Sequence, residues 1–302
     1  MKTAYDRILP VVRVLLSVTV LLVCLFYTLT AIYASPYPGF DWDGDGTIVF
    51  IEPCTVDPAW CEANQDTLTV GDRVLVFGDL TIEEYESDLT RVPFDGYGAG
   101  DTIRIPFLRD GVKQTIDWQM LGHNRMTRRR YLLYALPLFV PFWLIGTIAL
   151  FLPRLRTQSL LTHWLPILFG FFTALWFAVG AFGTWRTAYG SLIVHALAWL
   201  LVPIYWHFHL DIPSPLVRGR RRTFLIGTYA VCAVLVILEM LQVLPSSGAS
   251  LATLLTFLGS VGTLLYRLLA RRAASDRPTT VLMFAGFCLA IGPTMVLWSI
   301  PQ

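Results

Sequence analysis

Seven stretches of this chain are mostly apolar for about 20 residues, the length an α-helix needs to cross ~30 Å of hydrocarbon. They fall at residues 10–33, 131–151, 162–183, 190–210, 223–243, 251–268 and 279–300. No water-soluble fold has room to bury that many such runs. The composition agrees, with 55% hydrophobic and only 15% charged residues, where a soluble domain carries about 25% charged. The expected class is a membrane α-helical bundle of seven transmembrane helices with a small α+β domain outside it. The first run is too long for a cleaved signal peptide, and no small-x-small cleavage site precedes Pro36, so it reads as a retained anchor.

Orientation follows the Lys/Arg bias of the short loops. With the N-terminus in the cytoplasm, that side receives Lys2, Arg7, Arg154 and Arg156, then Arg218, Arg220, Arg221 and Arg222, then Arg267, Arg271, Arg272 and Arg277. Arg125, Arg128, Arg129 and Arg130 sit on the other side against the rule, and Arg186 is alone in its loop. Inversion would misplace two clusters of four arginines. The reading is therefore a multi-pass cell-membrane protein with residues 34–130 extracytoplasmic and, after seven crossings, an outer C-terminus.

The acidic residues concentrate between the first two runs. Of the 21 Asp and Glu residues, 17 lie between Ala34 and Arg130, and beyond that only Asp211, Glu239 and Asp276 remain. The organisation expected is an anchor helix at 1–33, a polar domain at 34–124 and a six-helix region at 125–302. Within the domain, Thr81-Ile82-Glu83-Glu84 has the spacing of a capping box that opens a short helix. Ile103, Ile105 and Phe107 alternate with polar residues, Arg109-Asp110-Gly111 makes a turn, and Ile116, Trp118 and Met120 alternate again, which is a hairpin. Pro106 suggests an edge position for its first strand. Cys54 and Cys61 can close a short disulfide loop in an exported segment, although two free thiols look the same in sequence. Cys24, Cys232 and Cys288 lie in apolar runs and read as small apolar residues.

One stretch of the domain, "DWDGDGTIVFIE" at 41–52, matches the calcium-loop pattern D-x-[DN]-x-[DN]-G-x5-E. A calcium loop of that kind needs an exit helix to hold its closing glutamate. Here Pro53 follows Glu52 directly, and Thr47 to Ile51 are strand-formers. The preferred reading is a hairpin with Phe40 and Trp42 on one arm, a turn at Asp43-Gly44-Asp45-Gly46, and Ile48 and Phe50 on the other. No metal is assigned.

"VGDRVLVFGD" at 70–79 resembles the Gly-Asp turn and strand of bacterial PDZ domains, and "GAGDTIRIPFLRDGVKQTIDWQM" at 98–120 resembles their closing hairpin. The likeness covers Pro38 to Leu121. It implies a peptide groove beside the strand that starts at Gly39, with Tyr37, Gly39, Phe40 and Asp41 where such domains hold a ligand through backbone N–H groups. An anchor, a PDZ-like domain and six further helices are together similar to the N-terminal region of multi-pass bacterial histidine kinases of the competence-receptor type. "LLVPIYWHFHLDIPSP" at 200–215 and "VLMFAGFCLAIGPTMVL" at 281–297 resemble helix ends of those sensors. In that family the helices lead to a dimerisation helix with a phosphoacceptor histidine and to an ATP-binding domain, and neither is found within these residues. The resemblance implies a receptor module for an extracytoplasmic peptide or small-molecule ligand. Its partners would be the bilayer, a second copy of the chain in a homodimer, and a cytoplasmic kinase domain in cis or in trans. It implies no nucleic acid, no cofactor and no catalytic residue in this chain.

The alternatives are a stand-alone PDZ-containing adaptor, an intramembrane protease and a transporter. The chain has no H-E-x-x-H and no G-x-S-x-G motif, and no internal repeat of the kind transporters carry. Three polar residues in the apolar runs remain. Glu239 is an intramembrane carboxylate, which is costly enough to suggest function, although near an interface it can simply reach the headgroups. His207 and His209 are two apart, on different helix faces. They read as helix-end residues facing headgroups, rather than as a haem or metal site shared with His163.

Overall fold

The computed structural model describes residues 4–64, 67–152, 160–216, 221–269 and 278–286. In chain order the main elements are α1 (Ala4–Ala34), β1 (Phe40–Trp42), β2 (Ile48–Ile51), α2 (Pro58–Asn64), β3 (Arg73–Val74), β4 (Val76–Phe77), β5 (Leu80–Thr81) and α3 (Ile82–Ser87). They continue with β6 (Thr102–Arg109), β7 (Val112–Gln119), α4 (Arg125–Phe151), α5 (Leu160–Gly180), α6 (Gly190–Asp211), α7 (Arg221–Met240) and α8 (Gly248–Leu269). Among the described residues, six helices are long and apolar enough to cross a membrane: α1, α4, α5, α6, α7 and α8. Residues 278–286 are helical, and the rest of the expected seventh crossing lies outside the described residues.

By their internal contacts the described residues group into two compact units. One takes Val18–Pro141 with Ala174–Val194, and the other takes the described parts of Met1–Ser17, Phe142–Thr173 and His195–Gln302. The polar segment thus groups with helix ends rather than by itself.

In the polar unit, β1 and β2 form a hairpin with Phe40 opposite Ile51 and Trp42 opposite Ile48. Sheet order in the larger sheet is β3-β6-β7, so the strand carrying Pro106 is central, contrary to the edge position its proline suggested. The reason is the shortness of β3. Its ladder stops at Val74 opposite Phe107, and Leu75 N–H donates to the Pro106 carbonyl at 2.9 Å. The proline's missing donor falls where the β3 ladder ends. The β6–β7 turn puts Asp110 and Gly111 at φ 53° and 76°, as a tight hairpin turn requires.

Both short helices are capped by their sequence. The Thr81 hydroxyl accepts from Glu84 N–H while the Glu84 carboxylate accepts from Thr81 N–H, closing the capping box. The unexpected α2 begins at an Asp-Pro pair, with the Asp57 carboxylate accepting from Trp60 N–H at 3.1 Å. Proline suits the first helical position because its absent N–H would have no partner there. Around these elements Tyr37, Phe40, Phe77, Tyr85, Phe94, Phe107 and Trp118 are buried to 2% exposure or less. Large side chains buried this way each contribute about 2–3 kcal/mol.

In the helical unit, close crossings coincide with glycines. A Cβ on Gly170 would lie 2.4 Å from Gly146 N, and one on Gly259 would lie 1.8 Å from Trp206 Nε1. Small residues let helices approach in this way without a hydrophobic drive. The buried stripe of α8 is Gly248, Ala252, Thr256, Ser260 and Leu264, which repeats every fourth residue and forms one helix face.

Candidate functional site

Helix α4 starts earlier than hydropathy alone suggests, because Asn124 caps it. The Asn124 Oδ1 accepts from Met126 N–H at 2.9 Å and Thr127 N–H at 3.0 Å. The arginines expected in a loop therefore occupy the first turns of the helix. Arg130 Nη1 lies 2.8 Å from Glu52 Oε2 and Nη2 lies 3.7 Å from Asp41 Oδ2. Tyr131 donates its hydroxyl to Asp41 Oδ1 at 2.8 Å, and Tyr37 donates to Glu52 Oε1 at 3.0 Å. The Arg130 guanidinium also covers the Phe50 and Tyr131 rings at 4.4 and 4.5 Å. The two ends of the β1–β2 hairpin are thus tied to a single turn of α4.

Burial raises the Asp41 carboxyl to about 6, with Tyr131 and Arg130 pulling the other way. Beside it, His123 stacks on Tyr37 with ring centroids 4.9 Å apart, and its Nε2 lies 3.0 Å from Ser35 Oγ. Burial lowers the imidazole to about 4, assisted by Arg128 and Arg130, so it is neutral at pH 7.

The α5–α6 connection reaches the same unit from another direction. Arg186 is only 4% exposed and has a left-handed φ of 54°. Its Nη1 donates to the Asp88 carbonyl at 2.6 Å, its Nη2 donates to the Tyr85 carbonyl, and its guanidinium lies 3.7 Å from the Tyr85 ring centroid. Those are the carbonyls at the C-terminal end of α3, where positive charge is favoured. The Tyr85 hydroxyl accepts from Trp42 Nε1 at 3.1 Å and donates to the Thr184 carbonyl at 3.2 Å. The connection is therefore bonded to the aromatic core.

The four residues expected along a peptide groove have structural roles here. Tyr37 and Phe40 are 1% and 0% exposed, and Asp41 is held by Tyr131. Gly39 has φ +98°, and a Cβ there would meet the Trp60 ring at 2.3 Å. The calcium-loop residues are also engaged. Glu52 is bound by Arg130 and Tyr37, while the Asp43 and Asp45 carboxylates accept from Thr47 N–H at 3.0 and 2.9 Å. Among the described residues no three His, Cys, Asp or Glu side chains converge on a metal position. Cys54 and Cys61 form a disulfide between residues whose Cα atoms are 5.1 Å apart.

In the helical unit, Glu239 of α7 is 1% exposed and turns inward rather than reaching headgroups. Its Oε1 lies 2.8 Å from His195 Nδ1, and its Oε2 accepts from Trp199 Nε1 at 3.1 Å. His195 and Trp199 are one turn apart on α6, so one face of that helix meets both carboxylate oxygens. A hydrogen bond at that distance requires a proton on either the imidazole or the carboxyl. The contact is a buried polar link between two apolar helices, α6 and α7.

His207 and His209, expected to face the headgroups, are 2% and 3% exposed. His207 Nδ1 lies 3.3 Å from the Tyr229 hydroxyl and Nε2 lies 3.5 Å from Asp211 Oδ2. Arg267 donates to the carbonyls of His209, Leu210 and Ser214 at 2.8, 2.8 and 2.6 Å. The His209 and Leu210 carbonyls lie in the last turn of α6, where they have no partner within the helix, and Ser214 lies just past its end.

Comparison of the chain with family models, with curated proteins and with solved structures finds no match. The functional reading therefore rests on the residues alone. Sequence reasoning overlooked His195, Trp199 and His123, and read Arg186 only as a lone loop cation. His195 could have been found, since it lies in "SLIVHALAWLL" and an ionisable residue inside a spanning segment normally has a partner.

Proposed function

We propose that this chain is the receptor module of a membrane signalling protein, in which the polar domain takes an extracytoplasmic peptide or small molecule and the helices carry the response. The observation that carries this reading is the double attachment of the domain, through Arg130 and Tyr131 of α4 and through Arg186 of the α5–α6 connection. A ligand shifts an equilibrium only through a difference in affinity between two arrangements. A domain bonded to helix ends on two sides can pass such a difference to them.

The finer parts of the reading come from the sequence. They are a PDZ-like fold for residues 34–124, seven crossings with that domain outside the cell, a homodimer, and a two-component kinase domain in cis or in trans as the output. The chain's own role in this reading is non-catalytic. The disulfide supports an exported domain, because such bonds persist in oxidising compartments.

The test uses the full chain in lipid nanodiscs, panned against a library of short peptides with free C-termini, followed by hydrogen exchange on any binder. Protection is expected in β1–β2 together with the first turns of α4 and the residues around Arg186. Protection confined to the domain would favour the stand-alone adaptor, and no binder at all would remove the peptide reading. An accessibility tag at Asp110 should label from the extracytoplasmic side and one at Gly219 from the cytoplasmic side, and labelling of Asp110 from the cytoplasm would overturn the orientation.

A further inference from the structure

An open groove of about 470 Å³ runs along the membrane-spanning helices α6, α7 and α8. That volume falls within the ~300–1,000 Å³ typical of small-molecule sites. Its walls include Val202 and Trp206 of α6, Phe224, Gly227 and Leu235 of α7, and Leu255 of α8. Along α7 it extends from Thr223 to Leu235, roughly 18 Å at ~1.5 Å rise per residue. Two features give it a direction. At one end stands Arg222, exposed and last in the sequence Arg218-Gly219-Arg220-Arg221-Arg222. At the other, Trp199 lines the groove while its N–H is held by Glu239 at 3.1 Å.

We infer that this groove holds one acyl chain of an anionic phospholipid, with its phosphate at the Arg222 end of α7 and its tail against Trp199. An open, almost wholly apolar groove suits an alkyl chain, and each buried CH2 contributes about 0.8 kcal/mol. Basic clusters beside a spanning helix attract anionic headgroups at about 1 kcal/mol per Lys or Arg. A zwitterionic lipid would gain from the groove without gaining from the arginines. Two lining residues are fixed to each other, the Trp206 indole N–H donating to the Leu255 carbonyl at 3.0 Å.

Gly227 lines the groove and supplies the test, since a Cβ there would meet nothing within 4 Å and a larger side chain projects from an open position. The full chain is placed in nanodiscs of phosphatidylglycerol and phosphatidylethanolamine, each supplied in turn with a photoactivatable acyl chain. Adducts are then mapped by mass spectrometry. The expected result is labelling of residues 223–235 by the phosphatidylglycerol probe, lost in Gly227→Phe. In Arg222→Gln the excess of phosphatidylglycerol over phosphatidylethanolamine labelling at the same residues shrinks, since one of the arginines that draw the anionic headgroup is gone. Equal labelling by both probes in the wild type would overturn the anionic preference. Adducts spread evenly over exposed positions such as Leu133 and Ile148 would overturn the site. A change in oligomeric state in Gly227→Phe with lipid labelling unchanged would mean that a second copy of the chain fills the groove. Unchanged thermal unfolding of Arg222→Gln serves as the folding control.

Discussion

Arg130 holds Glu52 through a 2.8 Å ion pair in which the carboxylate side chain is 1% exposed and the guanidinium 36% exposed. Removing one partner of such a pair leaves a buried charge, which for fully buried pairs costs about 3–5 kcal/mol. Because the arginine is partly in water, about 2 kcal/mol is expected for Arg130→Gln. The double variant with Glu52→Gln should recover part of that loss. Thermal unfolding of the full chain in detergent measures it, and a double variant less stable than Arg130→Gln alone would show that the pair is not coupled.

His123 and Asp41 set opposite pH dependences. His123 is lowered from 6.5 to about 4, so its contribution is full above pH 6.5 and is lost as pH falls towards 4. Asp41 is raised from 3.8 to about 6, so its contribution is full below pH 3.8 and is lost as pH rises through 6. Relative to wild type, His123→Phe should therefore gain stability as pH drops from 6.5 to 4, and Asp41→Asn should lose it. Melting temperatures across that window decide the matter, and parallel curves for all three proteins would refute both assignments.

Calcium should leave the polar domain unaffected, because Glu52 is engaged by Arg130 and Tyr37. The melting temperature of the full chain is expected to be the same in calcium and in chelator. A calcium-dependent rise that disappears in the Asp43→Ala, Asp45→Ala double variant would restore the ion-binding reading.

The Glu239 cluster predicts an asymmetry between single and double substitutions. His195→Leu leaves Glu239 buried with Trp199 as its remaining hydrogen-bond partner among the described residues, at a cost of about 1–3 kcal/mol. His195→Leu with Glu239→Leu should be more stable than His195→Leu alone, since an apolar pair carries no desolvation penalty. Unfolding of the wild type, His195→Leu, Glu239→Leu and the double variant in one detergent gives the comparison, and a double variant at the sum of the two single losses would rule out the coupling.

The helices were legible because a 20-residue apolar run has few alternatives, and the capping box because Thr81 and Glu84 are three residues apart. What escaped was set by long-range contacts. Nothing near Pro106 in the sequence reveals that β3 stops just short of it. The start of α4 depended on one cap, Asn124, ahead of arginines that a hydropathy window excludes. Arg186 looked like a lone loop cation, since its carbonyl partners on Tyr85 and Asp88 lie about 100 positions away. Glu239 was visible as an anomaly, yet its partners 44 and 40 residues earlier were not.

The α5–α6 connection is short, polar at its centre and joins two spanning helices, which makes it an inviting place for an epitope tag or a fused reporter. Its geometry argues against that use. Arg186, Ala188 and Tyr189 all have positive φ, and the Arg186 guanidinium is inserted among the Tyr85 ring and the α3 carbonyls, so added residues would withdraw it. The turn at Asp110 and Gly111 carries no such obligation: both residues are exposed, and a Cβ on Gly111 would meet nothing within 4 Å. Engineering of this protein should treat the first loop as internal structure and the second as a free handle.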